Sequence, residues 1–177
     1  MKLHIGCGDK YLPGHKHLDI IDREHIDYIT NADDLSMIED ETVDEIYACH
    51  VLEHFDRNNI NNVLLEWNRV IKKGGVLRLA VPDFEKIVLV YSKTQNLEML
   101  LGLLYGGQIY QYNYHYQGFD YKRLENLLIT NGYINVKRYD WRDFLPPNYD
   151  DFSRAYIPHM DFENGTLMSL NVIAYKE

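Results

Sequence analysis

The sequence predicts an α/β fold built on a largely parallel sheet. Strand-like apolar runs alternate with helix patterns along most of the chain. One apolar run, residues 76–81, is interrupted only by Arg78 and is typical of a strand buried on both faces of a parallel sheet. Two late strand-like runs, residues 134–139 and 167–175, follow the last helix pattern. With 177 residues the chain is long enough for one domain with a substantial core, and we expect a single domain over residues 1–177.

The first half of the chain contains the clearest local patterns. Its strand-like runs cover residues 2–6, 17–21, 26–30 and 45–49. A helix is predicted over residues 59–73, where apolar side chains recur at helical spacing. These apolar positions are Ile60, Val63, Leu64, Trp67, Val70 and Ile71. Gly74 is expected to end the helix, because glycine readily adopts the conformation that follows a last helical turn.

The second half is expected to contain further helices and a long loop. Asp83 can cap a helix that begins near Phe84, and residues 97–104 have a helical pattern. Asp120 can cap another helix that ends near Thr130. Residues 144–165 are predicted to form an irregular connection before the last strand.

Composition narrows the classes of partner. Eighteen basic and 27 acidic side chains give a formal charge of −9, which argues against non-specific binding of nucleic acid or anionic membranes. No apolar run approaches the ~20 residues that span a bilayer. The first residues run directly into a strand, so no secretory signal is expected. The only cysteines, Cys7 and Cys49, are too few for a disulfide framework, and a reducing cytoplasm is the expected location.

Glycines and polar residues follow the first three predicted strands, where ligands bind in open α/β sheets. Gly6 and Gly8 flank Cys7, and the N–H groups of such a loop can hold a carboxylate or phosphate, although glycines also serve simple turns. Asp19 can accept bonds from ribose hydroxyls, or be a solvated turn residue. In residues 31–35, a side chain can bind an adenine amino group, or the cluster can cap a helix. Tyr11 occupies the third glycine position of a dinucleotide fingerprint, which argues against NAD.

Two histidines follow the fourth strand. His50 and His54 are four residues apart, a spacing that is also found in metal sites. No third ligand is evident nearby, and Glu53 stands in the wrong order for a zinc-protease motif, so no metal site is predicted. His50 is instead expected to line the ligand cleft, and His54 to pack against it or point into substrate.

Taken together, these segments resemble the class I S-adenosylmethionine-dependent methyltransferases. The resemblance is carried by residues 4–8, 19, 32–35, 42–47, 52–54 and 66–75. The last segment is similar to the family's arginine-valine-leucine-lysine-proline-glycine-glycine signature, with Ile71 for leucine and Lys73 for proline. Weaker similarity to a small branch of predicted methyltransferases, often associated with glycan biosynthesis, lies at residues 81–83, 105–108, 115, 118–119, 132–133 and 169–172.

The resemblance implies a Rossmann-like methyltransferase sheet, mostly parallel with the last strand antiparallel, and S-adenosylmethionine as the cofactor. Residues 1–83 would be the cofactor-binding half, 84–121 a lid or substrate segment, and 122–177 the C-terminal helix and strand pair. The family's cofactor contacts carry over to Gly6, Cys7 and Gly8 at the methionine end and to Asp19 at the ribose. Asn31, with Asp33 as a competing candidate, would contact adenine, and Cys49 and His50 would flank the cofactor.

The sequence departs from the family in two places. His4 replaces the acidic residue that commonly stands two positions before the first glycine. Only about ten residues separate Gly6 from the second strand, fewer than a helical crossover usually needs, so the first helix should be absent or a single turn. With its N-terminal helices reduced, one sheet face is expected to be bare and available to a partner such as a second copy of the chain.

Methyl transfer to a hydroxyl needs an aligned acceptor and a group that removes its proton. Candidate bases are His54 and His115, each of which can instead be a hydrogen-bonded structural histidine, and Asp83 is an alternative that would otherwise cap a helix. A tyrosine-rich segment, residues 105–121, is expected to form a lid, a sugar-binding surface or an oligomer interface. The resulting hypothesis is O-methylation of a small hydroxylated acceptor such as a sugar or glycan precursor. The rival is a degenerate module of the same fold that binds without catalysis.

Overall fold

A computed structural model describes all 177 residues and contains one seven-stranded sheet. Its strands are β1 (Lys2–Ile5), β2 (Lys16–Asp19), β3 (Tyr28–Ile29), β4 (Val43–Cys49), β5 (Ile71–Pro82), β6 (Tyr133–Arg138) and β9 (Ser169–Lys176). Their order across the sheet is β3-β2-β1-β4-β5-β9-β6. β9 runs antiparallel to both neighbours, whereas the paired strands β1 to β5 are parallel. The predicted fold class is therefore confirmed.

The helices follow the predicted order. They are α1 (Ile60–Val70), α2 (Phe84–Thr94), α3 (Leu101–Tyr105) and α4 (Tyr121–Thr130). Short 3-10 turns lie at Leu52–His54, Glu98–Leu100, Trp141–Asp143 and Phe152–Arg154, and a two-stranded ribbon pairs β7 (Tyr156–Ile157) with β8 (Thr166–Leu167). Asp83 and Asp120 cap α2 and α4 as predicted, by accepting bonds from the N–H groups of Glu85 and Arg123.

The predicted helix over residues 59–73 is too long at its C-terminal end. α1 ends at Val70, and Ile71 is extended with φ −69° and ψ 137°. Ile71 pairs with Val43 of β4 and thereby begins β5. This pairing with a distant strand overrides the local helical periodicity.

No helix precedes Leu52, which confirms that the first crossover is reduced to a loop. The helices α1 and α4 instead cover one face of the sheet, where a core of 27 buried residues forms. Leu3, Ile5 and Ile46 contribute to this core from the strands, and Trp67 and Leu128 contribute from the helices.

The opposite face is covered by the chain itself, so the expectation of a bare face was wrong. The connection between β6 and β9 folds back onto the sheet, and its Trp141, Leu145 and Tyr149 pack with Leu12 and Tyr47 in a second cluster. The Tyr47 hydroxyl donates a 2.6 Å hydrogen bond to Asp151 in the same connection. Because this segment covers the second face, the reason for expecting a second copy there is removed. No helix is long and apolar enough to cross a membrane.

His4 lies on this second face and is almost completely buried. Its ring contacts Tyr47, His17 and Tyr149, with centroid separations of 5.2, 5.6 and 6.4 Å. Burial, with smaller contributions from His17, His15 and His25, lowers the pKa of His4 to about 3. The folded protein therefore holds His4 as a neutral imidazole.

We expect the free energy of unfolding to fall as the pH is lowered from about 6.5 toward 3. His4 titrates near 6.5 when solvated and near 3 when folded, so in this window only the unfolded chain binds the proton. The slope from this one group approaches ~1.4 kcal/mol per pH unit. Urea denaturation at several pH values measures it. His4→Gln should give a shallower slope, and an unchanged slope would show that other groups account for the acid sensitivity.

Candidate functional site

Two adjoining cavities open at the C-terminal edge of the parallel strands. Their volumes are about 450 and 620 Å³, within the usual range for small-molecule sites. Both are lined by Gly6, Asp19, His50, His54 and Tyr110. The strand ends therefore bring the predicted residues of three separate segments to one place.

The glycine loop after β1 needs glycine at both positions. Gly6 and Gly8 have φ of +62° and +58°, in the left-handed region that side chains disfavour. A Cβ atom on Gly6 would also stand 2.4 Å from Val51 Cγ2. Cys7 between them is buried, and burial raises the pKa of its thiol to about 12, so the thiol stays protonated. All three line the second cavity, as a loop that binds through its backbone requires.

Asp19 connects the glycine loop to the end of β2. Its Oδ2 accepts a 2.8 Å bond from the Gly8 N–H, and its Oδ1 accepts a 2.9 Å bond from the Ile21 N–H. The side chain is largely buried, yet it lies on the wall of both cavities. The carboxylate is thus held rigidly and keeps lone pairs for hydroxyl donors of a ligand.

The loop after β3 lies at the far end of the first cavity. Both predicted candidates, Asn31 and Asp33, line that cavity, so the structure does not choose between them. Asp33 accepts a 3.0 Å bond from the Asn59 side chain. The loop is held against helix α1 because the Trp67 indole N–H donates a 2.7 Å bond to the Ala32 carbonyl. Asp34 lies outside the cavities and accepts a bond from the Ser36 N–H, as a capping residue does.

The end of β4 contributes to both cavities. His50 has a φ of +54°, which is unusual for a residue other than glycine and aims this residue into the cleft. Cys49 lines the second cavity, and burial raises the pKa of its thiol. Both residues therefore lie on the cavity walls, and neither cysteine has the low pKa that a nucleophilic thiol needs.

His54 and His115 come together although 60 residues separate them. One ring nitrogen of His54, one ring nitrogen of His115 and one carboxylate oxygen of Glu53 all lie within 4.8 Å of one another. We call these three residues the Glu53 cluster. His54 Nδ1 lies 3.0 Å from the Tyr114 carbonyl, and His115 Nδ1 lies 3.0 Å from the Leu103 carbonyl. A proton on each Nδ1 satisfies these carbonyls and leaves each Nε2 as an acceptor.

Glu53 is a residue of this site that the sequence analysis did not select. Its side chain is fully buried, and neither carboxylate oxygen accepts a hydrogen bond from the protein. His50 Nδ1 is 3.2 Å from Oε1, in a geometry that does not make a hydrogen bond, and His115 Nε2 is 3.9 Å away. Burial raises the pKa of Glu53 to about 8 and lowers that of His115 to about 4. Its position between His50 and His54 was the sequence feature that could have identified it.

The tyrosine-rich segment lies over the cavities. Tyr110, Tyr112 and Tyr116 line the first cavity and stay substantially exposed, whereas Tyr114 does not line either cavity. The Tyr116 N–H donates a 2.8 Å bond to the Glu53 carbonyl, which fixes the segment against the end of β4. Asp83, the alternative base, lies outside both cavities and bonds to Arg138 in addition to capping α2.

Comparison with known proteins points to the methyltransferases, the class that the fold and the cleft indicate. Residues 15–79 match the model of the methyltransferase domain family. No curated protein matches the sequence.

Solved structures share the fold over nearly the whole chain. An S-adenosylmethionine-dependent methyltransferase from Thermotoga maritima is 17% identical with a TM-score of 0.60, covering 99% of this chain and 82% of that one. One from Archaeoglobus fulgidus is 14% identical with a TM-score of 0.59, covering 99% and 85%. The 1,6-didemethyltoxoflavin-N1-methyltransferase of Burkholderia thailandensis, solved with S-adenosylhomocysteine, is 15% identical with a TM-score of 0.57, covering 99% and 70%.

The protein thus has the class I methyltransferase fold. Residues 15–79 match a methyltransferase domain in sequence as well. The cofactor that this fold and this domain imply is S-adenosylmethionine.

Proposed function

We propose that the protein binds S-adenosylmethionine across the two cavities and transfers its methyl group to a hydroxyl of a small acceptor. The observation that carries this proposal is the position of Asp19. Its carboxylate lies where the cavities meet, between the glycine loop on one side and the wall formed by Asn31 and Asp33 on the other. A nucleoside with a charged tail needs these three kinds of contact in this order.

The residues fit the parts of such a cofactor. Asp19 accepts the ribose hydroxyls, and Asn31 or Asp33 accepts the adenine amino group. Gly6 and Gly8 let the methionine end approach the backbone, because no side chain stands on that side of the loop. His4 lines the same cavity as a neutral imidazole, so it would offer an accepting ring nitrogen where related proteins offer a carboxylate charge.

The acceptor is expected in the second cavity, beside the Glu53 cluster. The bound cofactor supplies an electrophilic methyl group on a sulfonium sulfur. His54 and His115 line this cavity with an unprotonated Nε2 each, so either imidazole can receive the proton of an acceptor hydroxyl. Residues of the tyrosine-rich segment line part of both cavities.

A sugar is the acceptor that the cleft favours. Tyr110, which lines both cavities, offers an aromatic face for a sugar ring and a hydroxyl for its polar edge. The total charge of −9 also favours a neutral acceptor over a nucleic acid.

A thermal-shift titration with S-adenosylmethionine, S-adenosylhomocysteine and NAD tests the proposal. A ligand at a hundredfold excess over its Kd stabilises a protein by about 2.7 kcal/mol. For a chain of this size, the melting temperature should rise by roughly 5–10 °C with either sulfur compound and stay unchanged with NAD. No rise with either at millimolar concentration would refute the proposal. A rise without turnover of any hydroxylated acceptor would favour the non-catalytic module.

A further inference from the structure

Glu53 lies behind the histidines of the cavity wall, and methyl transfer does not explain its environment. It is fully buried, and no protein donor bonds to either oxygen. A buried polar group is normally hydrogen-bonded or bound to a metal ion. The groups around Glu53 are imidazoles, from His50, His54 and His115.

Two of these imidazoles present an unprotonated ring nitrogen, the atom that binds a metal ion. His54 and His115 each direct Nδ1 at a backbone carbonyl, at 3.0 Å, so each Nε2 carries a free lone pair. Metal-binding histidines are held in this way, because a hydrogen bond from the second ring nitrogen fixes both the tautomer and the ring orientation.

We propose that Glu53, His54 and His115 bind a divalent transition-metal ion such as Zn²⁺. Two imidazole nitrogens and one carboxylate oxygen are a donor set that suits zinc and its neighbours, and three protein ligands leave a position open for another molecule. The cavity wall contains both His54 and His115, so that open position faces the second cavity.

The protein backbone holds the ligands close to the required geometry. The Tyr116 N–H bonds to the Glu53 carbonyl at 2.8 Å, and the Gln117 side chain bonds to the Phe55 carbonyl at 2.7 Å. Tetrahedral zinc with bonds of ~2.1 Å places its donor atoms about 3.4 Å apart. Glu53 Oε1 and His115 Nε2 are 3.9 Å apart, so small rotations of the side chains bring them into range.

The ion would hold the oxygen of the acceptor at its open position. A coordinated hydroxyl has a lowered pKa, and its proton is released to water through the open cavity. His54 and His115 then act as ligands rather than as proton acceptors. This role rests on the proposed function, whereas binding of the metal does not.

Cobalt titration tests the site by a signal that does not depend on activity. Metal-free protein is titrated with Co²⁺, and the visible absorption of the bound ion is followed, with Zn²⁺ added to displace it. We expect one equivalent of Co²⁺ to bind. His54→Ala, His115→Ala and Glu53→Gln should each weaken binding at least tenfold, while circular dichroism shows that each variant remains folded.

His159→Ala is the matched control, because His159 lines the same cavity but is exposed and outside the cluster. It should bind Co²⁺ like the unmodified protein. Absence of stoichiometric binding, or binding that survives the double variant His54→Ala/His115→Ala, would overturn the proposal. The thermal shift with S-adenosylhomocysteine is measured on the same metal-free sample. A shift without Co²⁺ binding contradicts only the metal site, and Co²⁺ binding without a shift contradicts only the proposed function.

Discussion

Asp19→Ala should weaken the binding of S-adenosylhomocysteine by about a hundredfold or more. Hydrogen bonds to a charged group contribute about 1.5–3 kcal/mol each, so losing two ribose contacts costs at least ~3 kcal/mol, or two powers of ten in Kd. The variant also frees the N–H groups of Gly8 and Ile21, which Asp19 now holds in place. Isothermal titration calorimetry measures the change directly.

Asp22→Ala is the matched control for this experiment. Asp22 follows the same strand and carries the same charge, but it is exposed and lines neither cavity. Its Kd should stay within about threefold of the unmodified value, because a solvated charge at a distance is strongly screened. A Kd for Asp19→Ala that matches the control would mean that the ribose does not bind at this carboxylate.

Gly6→Ala should destabilise the folded protein by ~2–5 kcal/mol. The left-handed backbone costs a side chain about 1–2 kcal/mol. The new methyl group would also overlap Val51 Cγ2 at 2.4 Å, and overpacking of this kind costs about 1–3 kcal/mol more. Val51 is buried and branched at Cβ, so it has little freedom to move away. Urea denaturation measures the difference.

Gly14→Ala separates the two contributions. Gly14 has a φ of +80°, and a Cβ there would meet nothing within 4 Å, so only the backbone cost applies. Its loss should be ~1–2 kcal/mol, clearly less than that of Gly6→Ala. Equal losses at the two positions would show that Val51 yields without cost.

Local sequence patterns predicted the fold because residue spacing and glycine positions reflect local conformational preferences. Helical spacing at Ile60, Val63 and Trp67 predicted α1, and the glycine pair after β1 predicted the loop that lines the second cavity. The error at Ile71 arose where a contact with Val43, distant in sequence, decided the local conformation. The short connection after the first strand was also predictable from the sequence, because about ten residues are too few for a helix and the two turns that would flank it.

Two features could not be predicted because they depend on contacts that sequence spacing does not express. The spacing paired His50 with His54, whereas the structure groups His54 with His115 and Glu53. The segment that covers the second sheet face has no regular period, since its aromatic residues Trp141 and Tyr149 pack from loops and short turns. Its aromatic content was the only sign that it would be buried.

A crystal structure of the complex with S-adenosylhomocysteine tests the central claim most directly. We expect the ribose hydroxyls at the Asp19 carboxylate, the adenine against the wall of Asn31 and Asp33, and the amino-acid end in the glycine loop. The sulfur atom should then face the second cavity and the Glu53 cluster. A ligand bound elsewhere, or one whose ribose makes no contact with Asp19, would contradict the account.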